Sequence, residues 1–294
     1  MEIALGVDIG GTTLKAGRVG PTGLEARVSA QTPQEPRSLV ESVTALVEEL
    51  QGPKKSIGVA VAGLLSPNDG AIINSPNLRW LEGFPLRDSL QKALGCQVHL
   101  VNDAIAAALG ENSFGAGKDH VNFLLATLGT GIGGGIALNG KIWEGPGGMA
   151  GEFGHTRSGH QRVCGCGTVG CVEAVASASA MEAASQEAGL HLGLKELAET
   201  ARQGNADALR IFQNAGTALG NAFGQVALLL DLRVLVLGGG GCPCTDLLAD
   251  SIREEAGRRA FGRTAEDFTV VESPLGNDAG ILGAACRGQE KQSY

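Results

Sequence analysis

The N-terminal third alternates short apolar runs with glycine turns and one amphipathic segment. Ile3–Ile9 is largely apolar, enters Gly10-Gly11-Thr12-Thr13 and leaves through Leu14–Val19, a strand, glycine turn and strand. A third short strand around Glu25–Ser29 completes a meander. Ser38 followed by Glu41 reads as a capping box, and Leu39, Val43, Leu46, Val47 and Leu50 recur on one helical face. Gly52-Pro53 stops that helix. Ile57–Ala62 reads as a strand buried on both faces, and Ser66–Trp80 as a loop rich in Pro, Asn and Asp. Val98–Val101 is the next strand, ending at Asn102-Asp103, where an Ala-rich helix begins.

The second half starts the same way. Val121–Leu128 is a strand, Gly129–Gly135 a glycine turn, and Ile136–Leu138 the returning strand. A Gly/Cys-rich insertion spans Gly145–Cys171, and the longest of the following helices spans Asp207–Leu230. Arg233–Leu237 is a strand running into Gly238–Gly241, followed by a helix over Asp246–Arg259, a strand over Phe268–Val271 and a helix over Asn277–Ala285. Such alternation predicts an α/β protein with mixed sheets flanked by helices. The repeated opening predicts two lobes with a cleft between them, over 1–115 and 116–276, with the C-terminal helix 277–290 a candidate addition to the first.

Composition narrows the class. Of 294 residues 46 are Gly, against a background of about 7%, and they cluster beside Val/Ile/Leu runs. Glycine placed so suits backbone that must approach a ligand closely. Hydrophobic residues at 43% exclude a disordered chain, and the net charge of −8 argues against a surface that coats nucleic acid. No apolar run nears the roughly 18 residues of a membrane span. The N-terminal stretch lacks the basic start of a signal peptide, so a cytoplasmic location is expected. Three of the seven cysteines, Cys164, Cys166 and Cys171, crowd together, which points to a metal site more than to disulfides. Cys96, Cys242, Cys244 and Cys286 stand apart, and Cys242-Pro243-Cys244 reads as loop.

A glycine turn between strands aims several backbone N–H groups into one concavity, which suits an anion. The first turn adds the Asp8 carboxylate, able to hold Mg²⁺, the hydroxyls of Thr12 and Thr13, and the Lys15 charge. The second, with Thr130, Gly131 and Gly133, offers a matching set of donors, so a polyphosphate between the lobes is expected. Neither turn has the Walker or Rossmann pattern. Gly238, Gly239 and Gly240 follow a strand and precede a helix, a place for the nucleoside end of ATP or simply a connection. Asp103, at a strand end, is a candidate base, and capping the helix that follows is the competing role.

These motifs resemble the ROK family of sugar kinases, within the actin/hexokinase-like ATPase fold, and in that family the bacterial glucokinases most. The resemblance rests on Asp8–Lys15, Asn102-Asp103, Leu128–Gly135, Gly151-Glu152-Phe153-Gly154-His155, Cys164–Glu173 and Asp278–Ala285, in family order over nearly the whole chain. It implies ATP-dependent phosphorylation of a hexose 6-hydroxyl, glucose first, with Asp103 as catalytic base. It further implies sugar contacts from Asn102, Glu152, His155 and Glu173, with Asn77 and Gly63 matching less closely. His155, Cys164, Cys166 and Cys171 form a Cys₃His set for tetrahedral Zn²⁺, a structural ion because four ligands leave no open position. His160 and Cys96 are spare ligands, and a redox-active cluster is the competing reading. Loss of the metal by Cys166→Ser is expected to abolish activity while ATP contacts persist. Other sugars (an N-acetylhexosamine, fructose, mannose, allose) and a polyphosphate donor stay open. A sugar-sensing repressor is disfavoured, because the Asp8 turn leaves no room before it for a DNA-binding domain. A homodimer is expected, without nucleic-acid or membrane partners.

Overall fold

The computed structural model describes residues 2–53, 55–66, 70–75 and 77–290. Parts of the expected 66–80 loop, residues 67–69 and Pro76, lie outside the described residues, as does the Cys242 side chain. The chain divides into two units. The first runs from the N-terminus to Lys118 and adds Lys141–Ala150 and the segment from Asp278 onward; the second comprises Asp119–Gly140 and Gly151–Asn277.

In the first unit, β1 (Ala4–Ile9), β2 (Thr13–Gly20) and β3 (Gly23–Gln31) form the expected meander. Helix α1 (Pro36–Glu49) begins before the Ser38–Glu41 box, which therefore does not form the cap. Glu35 is the cap: its carboxylate accepts from the Ser38 N–H and, at 2.6 Å, from the Ser38 hydroxyl, with Pro36 in the first turn where its missing N–H costs nothing. Strand β4 (Ser56–Val61) follows, then a small hairpin of β5 (Leu64–Leu65) and β6 (Ile72–Asn74), the second of which lies inside the stretch expected to be loop. Helix α2 (Leu86–Leu94) precedes β7 (Gln97–Asn102) and α3 (Asp103–Phe114). The sheet order is β3-β2-β1-β4-β7, with β1, β4 and β7 parallel and the meander antiparallel. Leu5, Val7, Leu39, Val43, Val59, Leu81 and Leu90 belong to its core.

The second unit holds β8 (Phe123–Leu128) and β9 (Ile132–Leu138) as an antiparallel pair. The short β10 (Lys141–Trp143) lies in the stretch that groups with the first unit, where it packs on α3. Helices α4 (Glu173–Ala176), α5 (Ala178–Glu187), α6 (Leu194–Arg202) and α7 (Ala206–Leu230) lead to β11 (Val234–Gly238). Then come α8 (Thr245–Arg259) and β12 (Thr269–Glu272). β8, β11 and β12 run parallel, in the order β9-β8-β11-β12. Phe212, Leu219, Phe223, Leu237, Leu248 and Ile252 belong to the core where α7 and α8 meet the sheet.

The last helix, α9 (Ala279–Gln289), returns to the first unit and packs against α3, β1 and β4. Glycine makes this approach possible. A Cβ at Gly283 would stand 1.6 Å from the Ala106 carbonyl oxygen of α3. Backbone thus meets backbone, and α9 brings its N-terminal turn to Asp8, Gly280 lying against the carboxylate.

Candidate functional site

Three parallel strands of the first unit end at one sheet edge, since Ile9 pairs with Val61 and Val61 with Asn102. The Gly10–Thr12 turn follows β1 at this edge, closed by the Gly10 N–H on the Thr13 carbonyl at 3.1 Å. Gly63 follows β4, and the loop carrying Asn77 is pinned there by Ser75. Its hydroxyl donates to the Ala62 carbonyl at 2.7 Å and accepts from the Leu78 N–H at 3.1 Å. Asn77 lies beside Gly11, within 3.2 Å of where a Cβ would stand. Gly10, Gly11, Thr12, Gly63, Asn77, Asn102 and Asp103 therefore share one edge.

The cap of α3 is Asn102, not Asp103. The Asn102 carbonyl oxygen accepts from the Ala104 N–H at 2.9 Å and the Ile105 N–H at 3.1 Å, and its amide donates to the Gly63 carbonyl at 3.0 Å. Asp103 is the first residue of the helix, with Oδ1 2.9 Å from the Ala104 nitrogen. An acid there is favoured by the helix dipole. Asp8 and Lys15 face each other across β1 and β2, carboxylate to ammonium 3.5 Å, both largely covered. Burial raises the Asp8 pKa, and the Lys15 charge opposes that rise.

In the second unit the turn is shorter than expected. β9 begins at Ile132, so Gly133 lies within the strand, opposite Thr127, and only Gly129, Thr130 and Gly131 make the turn. The parallel neighbour β11 ends at Gly238 and delivers Gly239–Gly241 alongside, the Gly241 N–H bonding the Leu128 carbonyl at 2.9 Å. Cys242–Cys244 is a short helical turn rather than plain loop. Glu173 reaches the glycine turn, its Oε2 accepting from the Ile132 N–H at 2.9 Å. Nothing local in the sequence signals that contact.

The ligand atoms of His155, Cys164, Cys166 and Cys171 all lie within 4.8 Å of one another. The Cys166 and Cys171 sulfurs are 3.7 Å apart, and the Cys164 sulfur is 3.9 Å from His155 Nδ1. A tetrahedral zinc with thiolates at about 2.3 Å requires edges of roughly 3.8 Å, so the donor set fits such an ion. Backbone builds the pocket: the Cys164 N–H donates to Thr168 and the Gly167 N–H to Cys164, with bridges at Val163–Val169 and Arg157–Cys171. Burial pushes the Cys164 thiol up to about 12, whereas the Thr168 backbone N–H brings Cys166 down to about 7. His160 is committed elsewhere, Nε2 to the Cys171 carbonyl at 2.9 Å and Nδ1 to the Arg162 N–H at 3.0 Å. Cys96 is not among the clustered ligands. His155 closes a short turn, Phe153–His155, next to exposed Glu152. A cavity of about 420 Å³ adjoins this cluster and the glycine turn, lined by Thr130, Arg162, Cys164, Glu173 and Ser177 among others. Arg162 and Ser177 carry no motif that would have marked them.

The sequence pattern of the ROK family matches residues 4–290. The chain belongs to the ROK family. Glucokinase of Streptomyces coelicolor is 34% identical over 310 residues, covering 97% of each chain. N-acetylmannosamine kinase of Escherichia fergusonii is 33% identical over 289 residues, covering 97% of this chain and 98% of that one. The crystal structure of a ROK glucokinase from Streptomyces griseus, in complex with glucose and AMPPNP, superposes with a TM-score of 0.85 at 31% identity, covering 98% of this chain and 100% of that one. This ROK chain thus has the α/β ATPase fold of its solved relatives, with mixed sheets flanked by helices.

Proposed function

We propose that this ROK-family protein is an ATP-dependent hexose kinase that phosphorylates the sugar 6-hydroxyl, with glucose as first substrate and Asp103 as general base. The observation that carries the proposal is the division of labour at the end of β7. Asn102 caps α3 and ties down Gly63, while Asp103 stands at the edge shared with the first glycine turn and Asn77. A carboxylate held there accepts the hydroxyl proton as the oxygen attacks phosphorus. Glucokinase and N-acetylmannosamine kinase relatives of nearly equal identity support the sugar-kinase class.

ATP with Mg²⁺ supplies the phosphoryl group. Asp8 is the residue to hold the cation. The backbone of Gly10, Gly11, Thr130 and Gly131, the hydroxyls of Thr12 and Thr13 and the Lys15 charge bind phosphate oxygens, and Gly238–Gly240 receive the nucleoside. Gly63, Asn77, Asn102, Glu152, His155 and Glu173 select the sugar, since a hydroxyl of the wrong epimer leaves buried polar groups unpaired. His155, Cys164, Cys166 and Cys171 would hold a structural Zn²⁺, which would tie the Glu152 and Glu173 segments together.

The near-equal N-acetylmannosamine kinase relative makes an N-acetylhexosamine the second substrate class. Among the described residues no helix is long and apolar enough to cross a membrane. A cytoplasmic location, without membrane or nucleic-acid partners, is part of the proposal. Exposed Leu229 at the end of α7 and Phe261 beyond α8 supply apolar surface for a homodimer. ADP release assayed over glucose, mannose, fructose, allose, N-acetylglucosamine and N-acetylmannosamine tests the reading. Turnover with one of these above the sugar-free background supports it; background with all of them overturns it.

A further inference from the structure

The second glycine turn is held at both ends by one segment. At its start the Gly129 carbonyl accepts from the Ala178 N–H at 2.9 Å. At its end the Ile132 N–H donates to the Glu173 carboxylate at 2.9 Å. Glu173 is the first residue of α4 and Ala178 the first of α5, so the whole link between them spans the turn. Contact is close, because a Cβ at Gly131 would stand 2.4 Å from Glu173 Oε2. Gly131 must be glycine for the carboxylate to sit there, a reason independent of any ligand. The other carboxylate oxygen lies 3.3 Å from the Cys164 sulfur, so this one side chain touches both the ligand cluster and the turn.

We infer that Glu173 is a positioning residue for nucleotide binding: it clamps the Gly129–Ile132 backbone in the shape that presents its N–H groups to phosphate. This rests on the reading of that turn as phosphate-binding and goes beyond a sugar contact by Glu173. A preset backbone does not spend nucleotide binding energy on ordering itself. The carboxylate serves through its charge-assisted acceptance of the Ile132 N–H, and no proton moves in the process. Segment 173–178 begins two residues after Cys171, so order in the cysteine loop reaches the turn along the main chain.

The test measures binding of Mg²⁺–AMPPNP without sugar, by calorimetry, on the full chain and its variants. Glu173→Ala should weaken nucleotide binding about ten-fold or more, the worth of one hydrogen bond to a charged group. Glu173→Gln keeps a neutral oxygen able to accept from the Ile132 N–H without the charge, and should recover part of the loss. Ala178→Pro removes the N–H on Gly129 and puts ring carbon where that hydrogen pointed, so the tie at the start of the turn is lost. Its position opens α5, where proline is tolerated, and Ser177 before it is already extended at ψ 158°, so this variant keeps the test decisive if Glu173→Ala fails to fold. It should weaken nucleotide binding likewise and speed amide exchange across 129–132 while leaving 10–13 unchanged. Unchanged nucleotide affinity in Glu173→Ala and Ala178→Pro, with only hexose affinity lost in the former, overturns the clamp alone. Failure of the wild-type chain to bind Mg²⁺–AMPPNP overturns both the clamp and the phosphate reading beneath it.

Discussion

Replacing Asp103 with Asn separates chemistry from architecture. The structure lets both consequences be worked out. The α3 cap belongs to Asn102, and an Asn at 103 keeps an oxygen near the Ala104 N–H. What is lost is one negative charge in the first helical turn, worth about 0.3–1 kcal/mol. Loss of a positioned base costs about 10²- to 10⁴-fold in turnover, or roughly 3–5 kcal/mol of barrier. Asp103→Asn should therefore lower kcat at least about a hundred-fold, keep hexose affinity within a few-fold and shift Tm little. Asn102→Ala is the converse control. It removes the acceptor for two backbone N–H groups and the tie to Gly63, so stability should fall by about 1–2 kcal/mol. Steady-state ADP release, hexose titration and thermal unfolding read all three quantities. An Asp103→Asn enzyme retaining more than about a tenth of its turnover would refute the argument.

Purified protein should carry about one zinc per chain by elemental analysis, since four ligands complete one tetrahedral sphere. Cys166→Ser should lose zinc and turnover; through the 173–178 clamp it should also weaken nucleotide binding, in contrast to the persistence of ATP contacts expected from sequence. Lys15→Met should destabilise the protein at pH 7 by about 1–3 kcal/mol, because buried Asp8 then carries an uncompensated charge. The raised Asp8 pKa favours the protonated form in the fold, so the deficit should shrink as pH falls into the carboxylate range, read as converging Tm values. Gly283→Ala should lower stability by about 1–3 kcal/mol or more, its Cβ meeting the Ala106 backbone, whereas Gly147→Ala, with open space around it, should change Tm little.

Strands and long helices were legible wherever apolar spacing was strong: β1, β2, β8, α7 and α8 fall within a few residues of the expected positions. Helix α2 is not marked by the sequence although Leu86, Leu90 and Leu94 carry its buried stripe, because the preceding Pro/Asn/Asp stretch masks the start. The start of α1 differs from the expected one because two capping solutions compete in Glu35-Pro36-Arg37-Ser38, and an acid cap followed by proline prevails. At the end of β7 two adjacent residues could both cap, and only geometry shows that the first does. The Cys₃His cluster was readable because its spacing is local. The Glu173–Ile132 bond joins residues far apart in the chain and leaves no local pattern.

The central claim, that this chain moves a phosphoryl group from ATP to the 6-hydroxyl of a hexose, is tested most directly by identifying the product. Wild-type protein incubated with Mg²⁺–ATP and glucose, then followed by ³¹P and ¹³C NMR, should yield a phosphate ester on carbon 6 with ADP in equal amount. Inorganic phosphate alone, or ester at another position, would contradict it.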